Sequence, residues 1–247
     1  MKNISKKIIF ITGSSSGIGF HLAKSFLSCG NEVILCSKNI RKLKRASKSL
    51  NNCFYVKADL TSEKQIKSAI GKIKSKFKRI DFLICNYGSS HFKKNNFDFN
   101  YAFNNNFFPT VNIIKYVLPI MKNNYSKIIC ISSICGIEVI KNAPIGYAVA
   151  KSALNSFVKS FSFFLSNKNI SINIIAPGNI LFKKSTWEKK IKKNKFKINK
   201  FLKDNVPLKK FGTAQNIFNM CKYLFSDQSF STGATYVIDG GQTRTFN

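Results

Sequence analysis

Short apolar runs alternate with longer amphipathic stretches along the whole chain. Several runs, such as Phe82-Leu83-Ile84, are continuously apolar, which is typical of strands buried on both faces of a sheet. The pattern predicts strands at residues 7–11, 32–36, 53–57, 80–85, 127–132, 171–175 and 234–238. It predicts helices at residues 18–29, 41–50, 63–77, 97–121, 145–166 and 214–225. This alternation indicates an α/β fold with a parallel, doubly wound, seven-stranded sheet and helices on both faces.

Two segments depart from this regular alternation. Residues 183–203 contain ten lysines, yet Trp187 and Ile191 begin an apolar series at helical spacing, which predicts one or two amphipathic helices with a charged outer face. Pro109 falls inside the long helical stretch at 97–121 and is expected to kink or restart that helix. Neither a repeat nor a linker interrupts the chain, so residues 1–247 are interpreted as one domain.

Composition favours a cytoplasmic protein. No run of 18 apolar residues exists, so no membrane span is expected, and the apolar stretch at residues 8–11 is too short for a signal peptide. The seven cysteines form no Cys-x-x-Cys pair, which indicates free thiols in a reducing compartment. With two histidines in the chain, no metal site is predicted.

The formal net charge of +31 arises from 41 basic and 10 acidic residues. One interpretation is an electrostatic surface for nucleic acid or another acidic partner. The other is a compositional bias, because Lys, Asn, Ile and Phe are abundant throughout and all are favoured by AT-rich codons. Only four arginines occur, whereas nucleic-acid readers use arginine for bidentate contacts. The composition therefore favours the second interpretation, with no specific nucleic-acid partner.

A glycine-rich turn joins the first predicted strand to the first helix. Gly13, Gly17 and Gly19 follow Ile11, and Ser14, Ser15 and Ser16 add hydroxyl donors between them. Glycine permits positive φ angles and close approach of the backbone to a pyrophosphate, and the helix N-terminus attracts anions. The turn therefore predicts dinucleotide binding, although its spacing is neither that of Gly-x-Gly-x-x-Gly nor that of a Walker loop.

A second pattern carries possible proton-transfer chemistry. Tyr147 lies fourteen residues after Ser133, which stands at the end of the fifth predicted strand. Lys151 lies four residues after Tyr147, on the same helical face. A nearby ammonium and an oxidised nicotinamide are expected to lower the pKa of the phenol. Such a phenol can act as general acid or base, while Ser133 polarises a carbonyl.

These motifs occur together in the order of one known family. The Thr-Gly-x-x-x-Gly-Ile-Gly turn, Asn86-x-Gly88, Tyr147-x-x-x-Lys151 and the closing Asp239-Gly240-Gly241 resemble the short-chain dehydrogenases/reductases, and the match extends from Thr12 to Gly241. The resemblance implies a single Rossmann-type domain with Ser133, Tyr147, Lys151 and Asn106 as catalytic residues. It implies cofactor binding by Gly13, Ser15, Ser16, Gly17, Ile18, Gly19, Ser37, Lys38, Asp59, Leu60, Asn86, Gly88, Tyr147, Lys151, Pro177, Gly178 and Ile180.

Further details of the site follow from the same resemblance. Asp59 is implied to accept a hydrogen bond from the adenine amino group, and it can equally be the N-terminal acid of a helix. Lys151 is implied to hold the nicotinamide ribose, and Asn106 to support a water that links Lys151 to solvent. Asp239 is implied to be structural. Residues 179–207 are the natural lid over the substrate.

The end of the second strand predicts the coenzyme. An acidic residue there binds the ribose 2′-hydroxyl and repels a 2′-phosphate. Here Ser37 and Lys38 occupy the position and Arg41 is nearby. A hydroxyl and a cation suit the phosphate, so NADP(H) is predicted over NAD(H).

Two positions depart from the family pattern. Tyr87 replaces the usual alanine between Asn86 and Gly88, so its ring must point away from the cofactor or reshape the channel. Phe182 replaces a threonine that meets the nicotinamide amide, so Asn179, Ser185 or Thr186 is expected to make that contact instead.

The leading functional hypothesis is an NADP(H)-dependent oxidoreductase that interconverts a ketone and a secondary alcohol. A small-molecule or acyl-carrier-linked carbonyl, including a 3-oxoacyl thioester, is a candidate substrate. The alternatives are a sugar or other small-molecule dehydrogenase of the same family, a non-catalytic dinucleotide-binding protein and a basic nucleic-acid-binding protein. The resemblance also implies a homodimer or homotetramer formed through the helices at 97–121 and 145–166. Phe157, Phe161 and Phe164 form an apolar face that suits such an interface and can equally belong to the core.

Overall fold

A computed structural model of the protein describes residues 6–89, 97–121 and 126–245. The strands in these ranges are β1 (Ile8–Thr12), β2 (Glu32–Ser37), β3 (Tyr55–Lys57), β4 (Phe82–Cys85), β5 (Lys127–Ile131), β6 (Ser171–Pro177), β7 (Ile180–Leu181), β8 (Gly212–Thr213) and β9 (Thr235–Ile238). The α-helices are α1 (Gly17–Ser28), α2 (Ile40–Ser49), α3 (Glu63–Phe77), α4 (Phe99–Asn106), α5 (Phe108–Val117), α6 (Ile145–Ser166), α7 (Thr186–Lys193), α8 (Lys195–Asn205) and α9 (Ala214–Phe225).

Seven strands form one sheet in the order β3-β2-β1-β4-β5-β6-β9, and every neighbouring pair is parallel. The strand order reverses between β1 and β4. In open α/β sheets, ligands bind at such a reversal, beyond the carboxyl ends of the strands. The predicted α/β fold with a parallel, doubly wound, seven-stranded sheet is confirmed.

Alternate residues of the central strands supply two separate apolar cores. Phe10 contributes to the core beneath α3, α5 and α6, whereas Ile9 and Ile11 contribute to the core beneath α1, α2 and α9. All three side chains are fully buried. Side chains of a strand point alternately to opposite faces, so a continuously apolar strand requires helices on both sides. The two cores therefore explain the unbroken apolar runs and hold the carboxyl ends of the strands in fixed positions.

The helical stretch predicted at 97–121 is divided into two helices. The structure has α4 and α5 there, followed by a short 3-10 turn at Leu118–Ile120. Pro109 lies in the first turn of α5. Because proline has no N–H, it cannot donate to the carbonyl of Asn105, so the helix restarts, as expected from the position of Pro109.

Several predicted boundaries also move. The third and fourth strands begin two residues later than predicted, at Tyr55 and Phe82. The buried Asp81, just before β4, accepts a hydrogen bond from the backbone N–H of Ile8 at 2.8 Å and another from the Arg79 side chain at 2.9 Å. The small parallel pair β7–β8 was not predicted, because two-residue strands leave no periodic signal.

Residues 183–203 contain α7 and most of α8, so two amphipathic helices are present where one or two were predicted. Trp187 of α7 stacks on Phe201 of α8, with ring centroids 5.2 Å apart. Ile198 and Leu202 are buried beneath α8. The aromatic and aliphatic side chains thus attach the two helices to the body, and the lysines remain on the outer surface.

Candidate active site

One cleft of about 900 Å³ lies across the carboxyl ends of the central strands. Ligand pockets usually occupy 300–1,000 Å³, so the cleft has room for a large ligand. Most of the residues predicted from the sequence line it. These are Gly13, Ser15, Ser16, Gly17, Ile18, Ser37, Lys38, Asn86, Gly88, Ser133, Tyr147, Lys151, Pro177, Gly178 and Ile180.

The turn between β1 and α1 has the geometry of an anion-binding turn. Gly13 and Gly17 have φ angles of +62° and +63°, which L-residues rarely adopt. The N-cap residue of α1, Ser16, makes no side-chain capping hydrogen bond. The first N–H groups of α1 therefore have no side-chain acceptor in the cap and lie where a phosphate could accept from them.

Gly19 and Asn86 stabilise this turn through close packing and hydrogen bonds. A Cβ on Gly19 would lie 2.5 Å from Asn86 Nδ2 and 2.7 Å from the Gly13 carbonyl oxygen. Asn86 Nδ2 donates to the carbonyls of Thr12 and Gly13 at 3.2 and 3.3 Å. Thr12 Oγ1 accepts from the backbone N–H groups of Asn86 and Tyr87 at 3.0 and 3.1 Å. Gly19 thus lets α1 pack closely, and Asn86 ties the end of β4 to the glycine turn.

Hydroxyl and ammonium groups gather where β2 ends. Ser15 Oγ donates to Ser37 Oγ at 3.0 Å, which links the glycine turn to the strand end. Lys38 follows, and its Nζ lies 3.7 Å from Asp59 Oδ2. Lys42 also lines the cleft, whereas Arg41, the cation expected from the sequence, does not. The Asn39 side chain accepts from the backbone N–H of Lys42 at 3.0 Å, and this cap sets which side chains of α2 face the cleft.

Asp59 and Leu60 follow β3 beside the cleft rather than among its lining residues. Asp59 Oδ1 accepts from the N–H and hydroxyl of Thr61 at 3.1 and 2.9 Å. Although partial burial acts in the opposite direction, these hydrogen bonds and the Lys38 ammonium lower the pKa of Asp59. The carboxylate is therefore ionised at neutral pH. Leu60 is buried in the core beneath α3.

Asn106, the last residue of α4, is buried behind the cleft wall. Its Nδ2 donates to the Ala102 carbonyl at 3.1 Å, and its Oδ1 accepts from the Ser89 N–H at 2.9 Å. A Cβ on Gly88 would lie 3.1 Å from Asn106 Oδ1 and 3.5 Å from Lys151 Nζ. Gly88 thus allows both side chains to approach the same point of the backbone.

Ser133 and Tyr147 meet at the other end of the cleft. Both side chains line the cleft, and the Ser133 hydroxyl is close enough to influence the pKa of the Tyr147 phenol. Ser133 Oγ accepts from the Cys135 N–H at 3.2 Å in the short turn Ile134–Gly136. A Cβ on Gly136 would lie 2.6 Å from the backbone carbon of Lys151, so glycine is needed for this turn to approach α6. That close approach brings the end of β5 to the face of α6 that carries Tyr147 and Lys151.

Burial is the main influence on the protonation state of Tyr147. Burial raises the pKa of Tyr147 to about 12, although the hydrogen bond with Ser133 acts in the opposite direction. Lys151 Nζ lies 5.9 Å from the centroid of the Tyr147 ring. Desolvation therefore outweighs the expected effect of the ammonium, and the phenol is protonated at neutral pH.

Lys151 is 3% exposed, and its Nζ donates to the Ile131 carbonyl oxygen at 2.9 Å. Burial lowers the pKa of Lys151 to about 8, against the opposing effects of Cys130, Cys135 and Cys85. The ammonium form is still the main one at pH 7. A small rise in pH is enough to neutralise it, which places this lysine in the range useful for proton transfer.

The segment at 179–207 covers one side of the cleft. A Cβ on Gly17 would lie 3.1 Å from the Phe182 ring, so this ring lies over the glycine turn. Ser185 and Thr186 line the cleft, as does Trp187. The Asn179 amide instead donates to Gln242 Oε1 at 2.6 Å, and Ser185 Oγ accepts from the Glu188 N–H at 3.1 Å as the cap of α7. Of the three expected alternatives, Thr186 is thus the one whose side chain makes no hydrogen bond to another described residue.

Sequence reasoning did not identify several lining residues as site residues. They are Asn39, Lys42, Ser89, Tyr101, Asn105, Ile131, Ser132, Lys184 and Lys189. Ser132 Oγ donates to Asn155 Oδ1 at 2.7 Å, which ties β5 to α6 behind the reacting groups. The pair Ser132-Ser133 could have suggested this role, because adjacent strand residues point to opposite faces.

Three further features concern the described part of the chain. Within the described residues, no group of three or more His, Cys, Asp or Glu side chains is placed to hold a metal ion. No helix in that part of the chain is long and apolar enough to cross a membrane. The cysteines carry free thiols, and those at 36, 53, 85, 130 and 221 are buried.

Known proteins share both the sequence pattern and the fold. The family described as Enoyl-(Acyl carrier protein) reductase matches residues 13–243. The 3-oxoacyl-acyl-carrier-protein reductase of Rickettsia felis is 30% identical over 251 residues, which cover 98% of each chain. The L-sorbose reductase of Gluconobacter frateurii, solved with NADPH and L-sorbose, has a TM-score of 0.89 at 27% identity over 98% of each chain. A 7α-hydroxysteroid dehydrogenase solved with NADH has a TM-score of 0.84 at 27% identity, over 98% of this chain and 96% of that one. The chain belongs to the short-chain dehydrogenase/reductase family and is an NAD(P)-dependent oxidoreductase of that family.

Proposed function

We propose that the protein reduces a ketone to a secondary alcohol with NADPH, or runs the reverse reaction, and that Tyr147 is its general acid and base. The observation that carries the proposal is the convergence of Ser133, Tyr147 and Lys151 in the cleft that begins at the glycine turn. A protonated phenol and a serine hydroxyl in the same cleft are the groups needed to polarise a carbonyl and then donate a proton to it.

The cleft suits a dinucleotide along its full length. Among the described residues, its lining includes five lysines, at 38, 42, 151, 184 and 189, and no Asp or Glu. The uncapped N-terminus of α1 and the positive-φ glycines supply backbone donors for a pyrophosphate. When bound, the nicotinamide coenzyme would supply or accept the hydride.

The protein's own groups have separable roles. Ser133 Oγ would donate to the carbonyl oxygen, and Tyr147 Oη would deliver the proton to that oxygen as the alcohol forms. Lys151 would hold the nicotinamide ribose through its ammonium while its hydrogen bond to the Ile131 carbonyl keeps it in place. Asn106, behind Gly88, would support a water between Lys151 and solvent. Residues 179–207 would act as the lid that excludes bulk water.

We infer that NADP(H) is preferred over NAD(H). Ser37, Lys38 and Lys42 surround the end of β2, where the ribose 2′-position is expected, and the strand end carries no acidic residue. Lys38 is paired with Asp59 without coenzyme, so a 2′-phosphate would compete with that carboxylate for the ammonium.

We infer further that the substrate is a 3-oxoacyl thioester on an acyl carrier. Trp187 lines the cleft and suits an acyl chain, whereas Lys184 and Lys189 of the same segment suit an anionic carrier. The Rickettsia felis relative supports this substrate class. The likeness to L-sorbose reductase supports a polyol or keto-sugar as the second candidate.

The experiment is a coenzyme-coupled assay with purified protein. NADPH oxidation is followed with a 3-oxoacyl thioester on an acidic carrier protein, with the same acyl group on a small uncharged thiol, with L-sorbose and with a keto-steroid. The carrier-linked substrate is expected to have the highest kcat/KM, and this advantage should fall with salt because Lys184 and Lys189 attract the carrier. Equal turnover of both thioesters would remove the carrier from the proposal, and turnover of L-sorbose alone would favour the second candidate.

We infer that the protein is a homo-oligomer formed through α4, α5 and α6. Phe157, Phe161 and Phe164 form a continuous stack along α6, with centroids 5.0 and 5.1 Å apart. Phe157 and Phe161 also pack against the core, whereas Phe164 is 60% exposed. Light scattering of wild type and of Phe164→Ser tests this: the variant should shift toward monomer, and a monomeric wild type would contradict the inference.

A further inference from the structure

A tight turn follows β9 and packs against one wall of the cleft. Within this closing turn, residues 239–244, Asp239 Oδ1 accepts from the Gly241 N–H at 2.8 Å, and Oδ2 accepts from the N–H and hydroxyl of Thr243 at 2.7 and 2.8 Å. A Cβ on Gly178, which lines the cleft, would lie 2.7 Å from Asp239 Cβ. The residues of the closing turn, all of which the structure describes, do not themselves line the cleft. The turn is therefore a bonded support behind the cleft wall.

The closing turn is also bonded to segments on both sides of it. The Leu208 N–H, just beyond the lid, donates to the Gly240 carbonyl at 3.1 Å. The Arg244 N–H donates to Glu138 Oε2 at 2.6 Å, and Glu138 lies in the loop that follows Ser133. Because these bonds join segments far apart in the chain, the closing turn cannot shift without moving the end of the lid or the loop after Ser133.

Gln242 is the residue of this turn that reaches the cleft wall. Its side chain is buried, and its Oε1 accepts from Asn179 Nδ2 at 2.6 Å. The Asn179 carbonyl accepts from the Gly212 N–H at 3.0 Å, and the neighbouring Gly178 N–H donates to the Ile238 carbonyl at 2.9 Å. Backbone bonds thus hold the strand end, and the Gln242 side chain adds the bond that ties it to the closing turn.

The wall held in this way belongs to the end of the cleft that contains Ser133. Gly178 and Ile180, the two neighbours of Asn179, line the cleft beyond β6. In the sheet, β6 lies beside β5, which leads to Ser133, whereas β2 lies on the far side of β1 and β4. A coenzyme with its 2′-phosphate beside Lys38 would therefore place its nicotinamide half against this wall.

We propose that Gln242 is a positioning residue that acts through Asn179 to hold the wall of Gly178 and Ile180 in place for the nicotinamide half of the coenzyme. An amide that loses its acceptor in a partly buried place must find another partner, and the backbone that carries it shifts to do so. This inference rests on the proposed function, which sets the direction of the coenzyme in the cleft. It goes beyond that function because Gln242 lies outside the cleft lining.

The test is calorimetric binding of NADPH and of adenosine 2′,5′-bisphosphate, which keeps the adenine end with its 2′-phosphate and lacks the nicotinamide half. Neither measurement needs a substrate. The variants are Gln242→Met, which keeps the length of the side chain and removes the acceptor, Asn179→Ala, which breaks the same bond from the other side, and the double variant. Gln215→Met is the matched control, because Gln215 lies on α9 outside the cleft lining and bonds to His21 and Asn219.

Gln242→Met is expected to weaken NADPH binding by about threefold to tenfold, the range for one lost hydrogen bond, and to leave binding of the bisphosphate unchanged. Asn179→Ala should give the same selective loss, and it decides the question if Gln242→Met does not fold. The double variant should lose no more than either single variant, because both substitutions break one bond. Gln215→Met should bind both ligands as wild type does.

Three results would overturn this inference and leave the proposed function in place. They are unchanged NADPH binding in the single variants, an equal loss for both ligands, and losses that add in the double variant. A wild type that binds the bisphosphate but gains nothing from the nicotinamide half, or that does not bind NADPH, would overturn the proposed function and this inference with it.

Discussion

The two ends of the cleft differ in what shifts the pKa values of their side chains. At the reacting end, Tyr147 and Lys151 have pKa values shifted mainly by burial, and the charges lie far from solvent. At the β2 end, Lys38 and Asp59 are partly exposed, and their pKa values respond to neighbouring charges and hydrogen bonds. Desolvation produces large and salt-insensitive shifts, whereas exposed pairs are weak and screened. The end with Tyr147 and Lys151 is therefore suited to proton transfer, and the end with Lys38 is suited to binding a charged group.

The largest expected effect is at the reacting end. Tyr147→Phe removes the only proposed proton donor and is expected to lower kcat about 10²- to 10⁴-fold, with coenzyme binding retained. In wild type, alcohol oxidation should accelerate as pH rises toward the raised pKa of about 12, because that direction needs the phenolate. Steady-state rates in both directions, with Tyr116→Phe as control, check this. Full turnover by Tyr147→Phe would remove Tyr147 from the mechanism.

The next largest effect concerns the stability of the protein and is expected at Lys151. Its folded pKa of about 8 lies below the ordinary lysine value of 10.5, so the unfolded chain binds this proton more tightly. Its contribution to the free energy of unfolding is therefore least favourable below pH 8 and improves as pH rises to about 10.5. Relative to Lys151→Met, wild type should gain up to about 3 kcal/mol over this window. Urea denaturation of both proteins at pH 7 and pH 10 measures the change, and a constant difference would show that burial does not depress this pKa.

A substitution at Gly19 tests how rigidly the glycine turn is held by its contacts with α1 and Asn86. Gly19→Ala places a Cβ against Asn86 Nδ2 and the Gly13 carbonyl, so the glycine turn must shift. We expect a loss of about 1–3 kcal/mol in stability together with weaker binding of both coenzymes. Gly71→Ala is the control, because a Cβ there meets nothing within 4 Å on α3, and it should raise stability by up to about 1 kcal/mol. Thermal unfolding and coenzyme titration distinguish the two; an unperturbed Gly19→Ala would mean that the turn is more adaptable than its contacts indicate.

The smallest effect is expected at the exposed end. Lys38→Glu should lower the NADPH-to-NADH preference about tenfold, since it replaces a cation by an anion where the 2′-phosphate is expected. The shift should shrink in high salt, unlike the effect of Tyr147→Phe. The ratio of kcat/KM values for the two coenzymes at low and high salt provides the measurement. A ratio that does not change would contradict the charge argument for NADP(H).

Much of the site could be predicted because its residues lie in local motifs. The glycine turn, Ser133 and the Tyr147/Lys151 pair each adjoin a strand end or share a helix, and local periodicity places them. The break between α4 and α5 could be anticipated only as a kink at Pro109. The pKa of Tyr147 could not be anticipated, because the balance between desolvation and a neighbouring ammonium depends on depth and distance.

Contacts between segments that are distant in the chain could not be predicted from local sequence patterns. Tyr87 appeared as an unexplained departure, and its backbone N–H donates to Thr12 Oγ1, 75 positions earlier in the chain. The choice of Lys42 over Arg41 depends on the helical phase that Asn39 sets by capping α2.

The sequence by itself determined the alternation of strands and helices, the position of the glycine turn and the identities of the residues that move a proton, because each is encoded within a few neighbouring positions. Only the tertiary structure decided how the walls of the cleft meet: which cation faces it, how deeply Lys151 is buried and what holds Lys38. Those outcomes depend on packing between elements far apart in the chain, and burial and distance, rather than residue type alone, set the electrostatic energies there.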